Sequence, residues 1–145
     1  MRSTGTKPVS RFKIEFEVAN SIDVGMADRG ALDPAKVRHM TIQGVVDSGA
    51  SRLVLPPSVA KHLGLIPSGK IRVRSADRRS GTRDVVKGVY VRILGRDGTF
   101  TAAIEPKRRT ALVGAIVLED LDFLLDSGRE RLVPRDKRMV VSEIE

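Results

Sequence analysis

The sequence predicts an all-β fold, a small barrel or sandwich with one or two short helices, on three observations. Apolar and polar residues alternate in many short segments, and a period of two is that of half-buried strands. Turn-forming residues separate these segments at short intervals. Helical spacing is confined to the brief stretches 59–63 and 115–121. Many strands, frequent turns and little helix are typical of all-β barrels and sandwiches.

Three strands are predicted in the first part of the chain. Phe12–Val18 alternates cleanly, Val37–Val46 is a largely apolar run that leads into an acid, and Arg52–Leu55 is short because Pro56-Pro57 stops it. Between the first two strands we expect Asn20–Lys36 to form a long loop, since it holds three Asp, two Gly and a Pro.

Two short helices are predicted. Val59–Leu63 follows Ser58, which is expected to cap it, and Gly64 is expected to close it. The second helix covers Ala115–Leu121, where apolar residues lie near helical spacing.

Two hairpins are predicted in the middle of the chain. Ile71–Arg74 and Val85–Ile93 flank the polar stretch Ser75–Asp84, so these residues form a hairpin with a polar, glycine-bearing tip. Arg96-Asp97-Gly98 is predicted as a second hairpin turn, which leads into a strand at Thr99–Ile104.

Three short strands complete the predicted core. They are Ala111–Gly114, Phe123–Leu125 and Arg131–Val133, and a turn at Asp126-Ser127-Gly128 joins the last two. The four phenylalanines are expected to fill the core: Phe12, Phe16, Phe100 and Phe123.

The hexapeptide Val45-Val46-Asp47-Ser48-Gly49-Ala50 places a carboxylate at the end of an apolar strand. A buried charge must be hydrogen-bonded or neutralised, because an unpaired ion in an apolar setting is costly. Two interpretations are open on these residues alone. Asp47 is either a rigidly held functional carboxylate, or the acceptor of an ordinary Asx turn that ends the strand.

Four segments in order resemble the retropepsin-like aspartic proteases, in particular the short, single-lobed bacterial members. The Asp47 turn resembles the family's apolar-apolar-Asp-Thr/Ser-Gly-Ala motif, and Leu53–Leu65 resembles the strand and Leu-Gly-Leu segment after it. Ser75-Ala76-Asp77 stands where the family has its flap, the hairpin that covers the substrate. Ala111–Gly114 and the helix after it resemble the family's C-terminal segment.

The resemblance implies a retropepsin-like closed β-barrel, the acid protease fold. We expect this domain to span residues 12–134, after a flexible N-terminal segment at 1–11. Residues 135–145 are expected to be a charged tail that offers a strand for dimerisation. Family members of this size form homodimers, and here Phe12–Val18 and Arg138–Val141 are the strands expected to join the two subunits.

By the same resemblance, Asp47 of each subunit is the catalytic residue, and the two carboxylates share a proton at the two-fold axis. Ser48, Gly49 and Ala50 support the catalytic loop: the glycine N–H faces the carboxylate and the serine hydroxyl links the two loops. Ala76 and Asp77 of the flap are expected to contact a peptide or protein substrate. The implied activity is that of an aspartic endopeptidase without a cofactor.

The sequence departs from the family pattern in three places. The flap tip, Asp77–Gly81, is longer and more basic than in the relatives. Ala115 replaces the arginine that ties down the dimer interface in viral members. Ala50 offers no hydroxyl where some relatives carry one, so we expect activity closer to neutral pH than theirs.

Other residues are assigned ordinary structural roles. A second Asp-Ser-Gly, at 126–128, is read as a hairpin turn, because charged residues follow it at once and the chain is too short for two lobes. His39 and His62 have no partner at metal-ligand spacing, so no metal site is expected.

Composition bounds the class of protein. The 145 residues suit one domain, and 41% hydrophobic with 30% charged residues are typical of a globular protein. The absence of cysteine and of an apolar leader or membrane-spanning run makes the cytoplasm the expected location, away from a membrane. The net charge of +8 comes with few aromatics. This disfavours nucleic-acid binding and favours a solvated basic surface biased toward acidic partners.

Two functions remain open from sequence. One is a homodimeric aspartic endopeptidase. The other is a non-catalytic peptide-binding or scaffold dimer of the same fold. The intact Asp-Ser-Gly at 47–49 favours the enzyme, since a scaffold has no need of a carboxylate there.

Overall fold

Residues 11–75 and 77–145 are described by the computed structural model, and they contain nine strands, three α-helices and one turn of 3-10 helix at Pro34–Lys36. The strands are β1 (Arg11–Asn20), β2 (His39–Asp47), β3 (Leu53–Leu55), β4 (Pro67–Arg74), β5 (Ser80–Ile93), β6 (Arg96–Ile104), β7 (Ala111–Val113), β8 (Phe123–Asp126) and β9 (Arg131–Pro134). The helices are α1 (Ser21–Asp28), α2 (Pro57–His62) and α3 (Ala115–Asp120).

Six strands close into a barrel. Hydrogen bonding runs in the order β1-β2-β7-β3-β6-β5, and pairing of β1 with β5 completes the ring. β4 pairs only with the first part of β5, so these two strands project from the barrel as a hairpin. The prediction of an all-β closed barrel is confirmed.

One strand serves both the barrel and the hairpin. The first part of β5 pairs with β4 from Ser80 to Val86, and the last part pairs with β1 from Val89 to Arg92. Its register against β6 shifts between these parts, where Gly88 has a φ of +74°. A bulge with glycine in the left-handed region bends a strand, which lets β5 change partners.

The core fills the barrel with side chains from the alternate positions of its strands. Val18, Val46, Leu53 and Leu55 have no exposed surface. The four phenylalanines are all buried, as predicted: Phe12, Phe16, Phe100 and Phe123.

The loop predicted over 20–36 is wrong in part, because α1 occupies its first half. The Asn20 side chain accepts hydrogen bonds from the N–H groups of Ile22 and Asp23, at 3.0 and 3.1 Å, and so caps the helix. Its amide also donates to the Leu63 carbonyl oxygen at 2.9 Å, which fixes α1 against the residue after α2. Asparagine is a preferred N-cap residue, so the sequence contains one signal for this helix. The glycine and the acids that follow it are more typical of a loop.

Two local predictions also need correction. Helix α2 begins at Pro57 after Pro56 and has no side-chain cap, so Ser58 lies inside its first turn. The second hairpin turn consists of Leu94 and Gly95, with φ of 50° and 81°, and Arg96-Asp97-Gly98 belong to β6. A two-residue hairpin loop of type I′ has positive φ at both positions, as these two residues do.

The second Asp-Ser-Gly is a hairpin turn, as predicted. It joins β8 to β9, which form a separate two-stranded sheet. Asp126 accepts a hydrogen bond from the N–H of Arg129 at 3.2 Å and pairs with Arg131 at 3.4 Å. This carboxylate therefore stabilises its own turn.

The C-terminal residues fold back on a buried acid. Asp122 pairs with Arg135 at 2.7 Å and accepts a hydrogen bond from the N–H of Val141 at 3.0 Å. No strand lies in residues 135–145, all of which are described. The proposed dimer strand in this tail stays a prediction. Across the described ranges, no helix has the length and apolar character needed to cross a membrane.

Candidate active site

Asp47 is the last residue of β2 and is buried, with 7% of its surface exposed. Its strand is anchored on both sides, antiparallel to β1 and parallel to β7. Val46 before it is fully buried. The barrel wall therefore delivers one carboxylate to a fixed position at the end of a core strand.

A tight turn orients that carboxylate. Asp47 Oδ1 accepts a hydrogen bond from the N–H of Gly49 at 2.9 Å, and the Asp47 carbonyl accepts one from the N–H of Ala50 at 3.1 Å. Ser48 is exposed, and its hydroxyl has no partner within the described chain. The structure thus shows the glycine contact expected for the loop, and it leaves the serine hydroxyl available at the surface.

Gly114 and the start of α3 hold the turn from behind. Strand β7 runs between β2 and β3, and the residues after it reach the Asp47 turn. The N–H of Ala115 donates to the Ala50 carbonyl at 2.8 Å, and the N–H of Ile116 donates to the Ser51 carbonyl at 3.0 Å. These two bonds clamp the loop to the body of the barrel.

Glycine is required at position 114 by the closeness of this packing. A Cβ there would lie 2.5 Å from the Arg52 carbonyl oxygen and 2.8 Å from that of Ala50. Backbone atoms in a clamped loop cannot move aside for a methyl group. The sequence motif pointed to Gly114, and the structure gives its physical role.

Arg11 contacts the other side of the carboxylate, which sequence reasoning missed. Its Nε lies 3.2 Å from Asp47 Oδ2, and the two residues are partners in the β1–β2 register. The Arg11 side chain is 65% exposed, whereas that of Asp47 is 10% exposed. Only the register of β1 on β2, which the sequence pattern leaves open, would have revealed this pair.

The hairpin that projects from the barrel, residues 67–86, stands where the flap was predicted. The Asp77 carboxylate holds its tip: Oδ1 accepts hydrogen bonds from the Ser75 hydroxyl at 2.5 Å and the Arg79 N–H at 3.1 Å. The hydrogen bond from Ser75, and to a smaller extent that from the Arg79 N–H, keep the pKa of Asp77 below its usual value. Ala76 lies outside the described residues. Contact of Ala76 and Asp77 with substrate stays a prediction.

A groove joins the catalytic loop to this hairpin. It has a volume of about 660 Å³ and lies between Gly49–Arg52 and β4. A second groove of about 580 Å³ continues along the hairpin to Asp77 and shares Val54, Val73 and Leu112 with the first. An extended chain laid in these grooves would pass beside the Asp47 turn.

The described residues show no candidate metal site. Within residues 11–75 and 77–145, no three His, Asp or Glu side chains come together as a metal site would require. His39 and His62 are both exposed.

Comparison with known proteins gives one family. A family model described as aspartyl protease matches residues 33–115, more than half of the chain, and this span includes both the Asp47 turn and Gly114. None of the curated proteins matches the chain.

Among solved structures, that of a foamy viral protease-reverse transcriptase in complex with an RNA/DNA hybrid is similar. Its identity to this chain is 16% and the TM-score is 0.46. The match covers 66% of this chain but 11% of the viral one, so the chain spans about a tenth of that protein's length.

Proposed function

The chain belongs to the aspartyl protease family, and we propose that it is an endopeptidase whose catalytic dyad is formed by Asp47 from each of two copies. The observation that carries this proposal is the buried, oriented Asp47 carboxylate at the end of β2. Among the described residues, the second Asp-Ser-Gly belongs to a separate hairpin. A single copy therefore supplies half of a dyad.

The chemistry of such a dyad follows from electrostatics. Two carboxylates in contact cannot both be ionised at low cost, so they share one proton. The ionised carboxylate takes a proton from a bound water, whose oxygen attacks the carbonyl carbon of the scissile peptide. The protonated carboxylate donates its proton to the carbonyl oxygen. Collapse of the tetrahedral intermediate breaks the C–N bond, and the leaving nitrogen receives a proton from the dyad.

The clamp behind the loop supports this chemistry. The bonds from Ala115 and Ile116, with the tight packing of Gly114, fix the turn on which Asp47 stands. Catalytic groups need positions held within about 0.5 Å, and rigid backbone contacts provide that. We expect the hydroxyl of Ser48, which is exposed beside the carboxylate, to bond to the partner copy's loop.

Arg11 has to leave for the dyad to form. It pairs with the Asp47 oxygen that Gly49 does not bind. The Arg11 side chain is mostly exposed and can turn into solvent. The Asp47 carboxylate is buried, so the loss of its cation has to be offset by the proton that the dyad shares. The second carboxylate then takes its place.

The decisive experiment compares wild type with Asp47→Asn on a mixed peptide library between pH 4 and 7. We expect the wild type to cleave peptides of the library and the variant to be inactive. Both proteins should have the native mass of two chains. Asp126→Asn is the matched control, because it alters the same tripeptide at the hairpin turn and should retain activity. Turnover that survives Asp47→Asn, or a fully active monomer, would overturn the proposal.

A second candidate is a peptide-binding dimer of the same fold without turnover. The Arg11–Asp47 ion pair favours it, since an arginine on the carboxylate also neutralises it for a purely structural role. Peptide binding without cleavage in the wild type, under all of these conditions, would select this function.

A further inference from the structure

Arginine dominates the groove beside the catalytic loop. Arg52 follows the Asp47 turn and lines the groove from below, while Arg72 and Arg74 line it from β4. Arg72 and Arg74 are exposed and Arg52 is half-buried. Among the described residues that line this part of the groove, none carries a carboxylate.

These three guanidinium groups have no partners within the described chain: no hydrogen bond or ion pair joins their side chains to another residue. Other arginines lie beside an acid, as Arg38 does beside Asp23 and Arg83 beside Glu105, whereas these three share one concave surface without an acid beside them in the described chain. Unpaired guanidinium groups on a concave surface create a positive potential that attracts and binds anions.

The continuation of the groove along the hairpin is also basic. It adds Arg79, Arg83, Lys107 and Arg108 and only two acids, Asp77 and Glu105. Both acids are already paired, Asp77 with Arg79 at 3.3 Å and Glu105 with Arg83 at 2.9 Å. Net positive charge therefore runs from the hairpin tip to the catalytic loop.

We infer that this groove selects peptides with aspartate and glutamate beside the scissile bond. The inference rests on the proposed endopeptidase function and adds its substrate class. Carboxylates fit arginine forks with two parallel hydrogen bonds. The positive charge would also attract a nucleic acid. However, the described residues that line the two grooves include no aromatic side chain on which a base could stack.

The test uses two fluorogenic peptides of the same length, one with Glu and Asp on both sides of the scissile bond and one with Gln and Asn in their place. For the wild type at pH 6 and low salt, we expect kcat/KM to be at least tenfold higher for the acidic peptide, chiefly through KM. The preference should shrink at high salt. It should also shrink toward pH 4, where these side chains become protonated, their ordinary pKa being about 4.

The variant Arg52→Gln, Arg72→Gln, Arg74→Gln should lose most of the preference. Its matched control removes the same charge from exposed lysines outside the groove, as Lys36→Gln, Lys61→Gln, Lys87→Gln, and should keep the preference. Equal cleavage of both peptides by the wild type, or a preference unchanged by the arginine variant, would overturn the inference and leave the endopeptidase intact.

Binding separates this inference from the proposed function. Anisotropy of the labelled acidic peptide on Asp47→Asn should show binding that the arginine variant weakens, even if the wild type proves unable to cleave. In that case the acidic-peptide specificity of the groove is supported and the proposed endopeptidase activity is refuted. Tighter binding of a single-stranded oligonucleotide of equal charge, lost in the arginine variant, would overturn the inference in favour of nucleic acid.

Discussion

Arg11 Nε lies 3.2 Å from Asp47 Oδ2, so the carboxylate proposed for catalysis is ion-paired within its own chain. The pair is set by the register of two barrel strands, and its cation is largely exposed. The single chain thus holds the carboxylate beside a neutralising cation, and in the proposed dimer the carboxylate of a second copy would compete with Arg11.

Arg11→Gln tests this competition, because it removes the charge and leaves a shorter polar side chain. We expect turnover at low enzyme concentration to rise by a few fold, since the second carboxylate no longer displaces a cation. Lys36→Gln, which removes an exposed charge in the 3-10 turn, should leave turnover unchanged. A drop of tenfold or more in Arg11→Gln would show instead that the cation assists catalysis.

Gly114→Ala tests the clamp behind the catalytic loop. The added methyl group would meet Arg52 and Ala50 backbone oxygens at 2.5 and 2.8 Å, so the loop has to shift. We expect a loss of about 1–3 kcal/mol in unfolding free energy and a fall in kcat of at least tenfold. Urea denaturation and steady-state kinetics measure the two effects.

Gly25→Ala is the control for that substitution. Gly25 lies in α1 with nothing within 4 Å of its added methyl group, so the variant should be as stable as the wild type or slightly more so. An active, fully stable Gly114→Ala would remove the clamp from the mechanism.

Ala50→Thr tests the expectation that a missing hydroxyl keeps activity near neutral pH. Ala50 is half-buried in the turn after Asp47. A threonine hydroxyl that donates to the ionised dyad would favour the ionised form, so the pH–rate profile should move to lower pH. Ala50→Val has the same shape without the donor and should not move it. Coincident profiles for all three proteins would refute the expectation.

Asp23→Asn tests the ion pair between the buried Asp23 of α1 and Arg38, the half-exposed residue before β2. Arg38 donates from Nε to Asp23 Oδ2 at 2.8 Å and from Nη2 to Oδ1 at 3.0 Å. The side-chain bonds from Arg38, followed by its backbone N–H, lower the pKa of Asp23. A lowered folded-state pKa adds stability above the unfolded-state pKa, and this stability is lost as pH falls through the folded-state pKa.

We therefore expect Asp23→Asn to lose about 2 kcal/mol of unfolding free energy at pH 7, and the difference from wild type to narrow below about pH 4. Asp28→Asn, exposed at the end of the same helix, is the control and should match the wild type. Denaturation at pH 7 and pH 3 measures both. A difference that does not depend on pH would show that the ion pair contributes little.

Local patterns predicted the barrel strands and the Asp47 turn. The alternation in β1 and the Asp-Ser-Gly after β2 are short-range signals, and each led to the correct element. Helix α1 was missed because its glycine and acids outweighed the Asn20 cap.

Relationships between distant segments could not be predicted in the same way. The Arg11–Asp47 pair depends on strand register. The gathering of Arg52 with Arg72 and Arg74 depends on how the hairpin lies over the barrel. The net charge alone predicted a solvated surface with scattered basic residues. The fold instead brings some of these residues together in one groove.

The clamp on the Asp47 turn is built from residues far downstream in the chain, Gly114 to Ile116. A chain emerging from the ribosome carries its acid long before it carries the backbone amides that lock it. Nascent or truncated products therefore lack the bonds that fix this carboxylate, and under the proposed function the order of synthesis would delay the hydrolytic centre until the β-barrel is nearly complete.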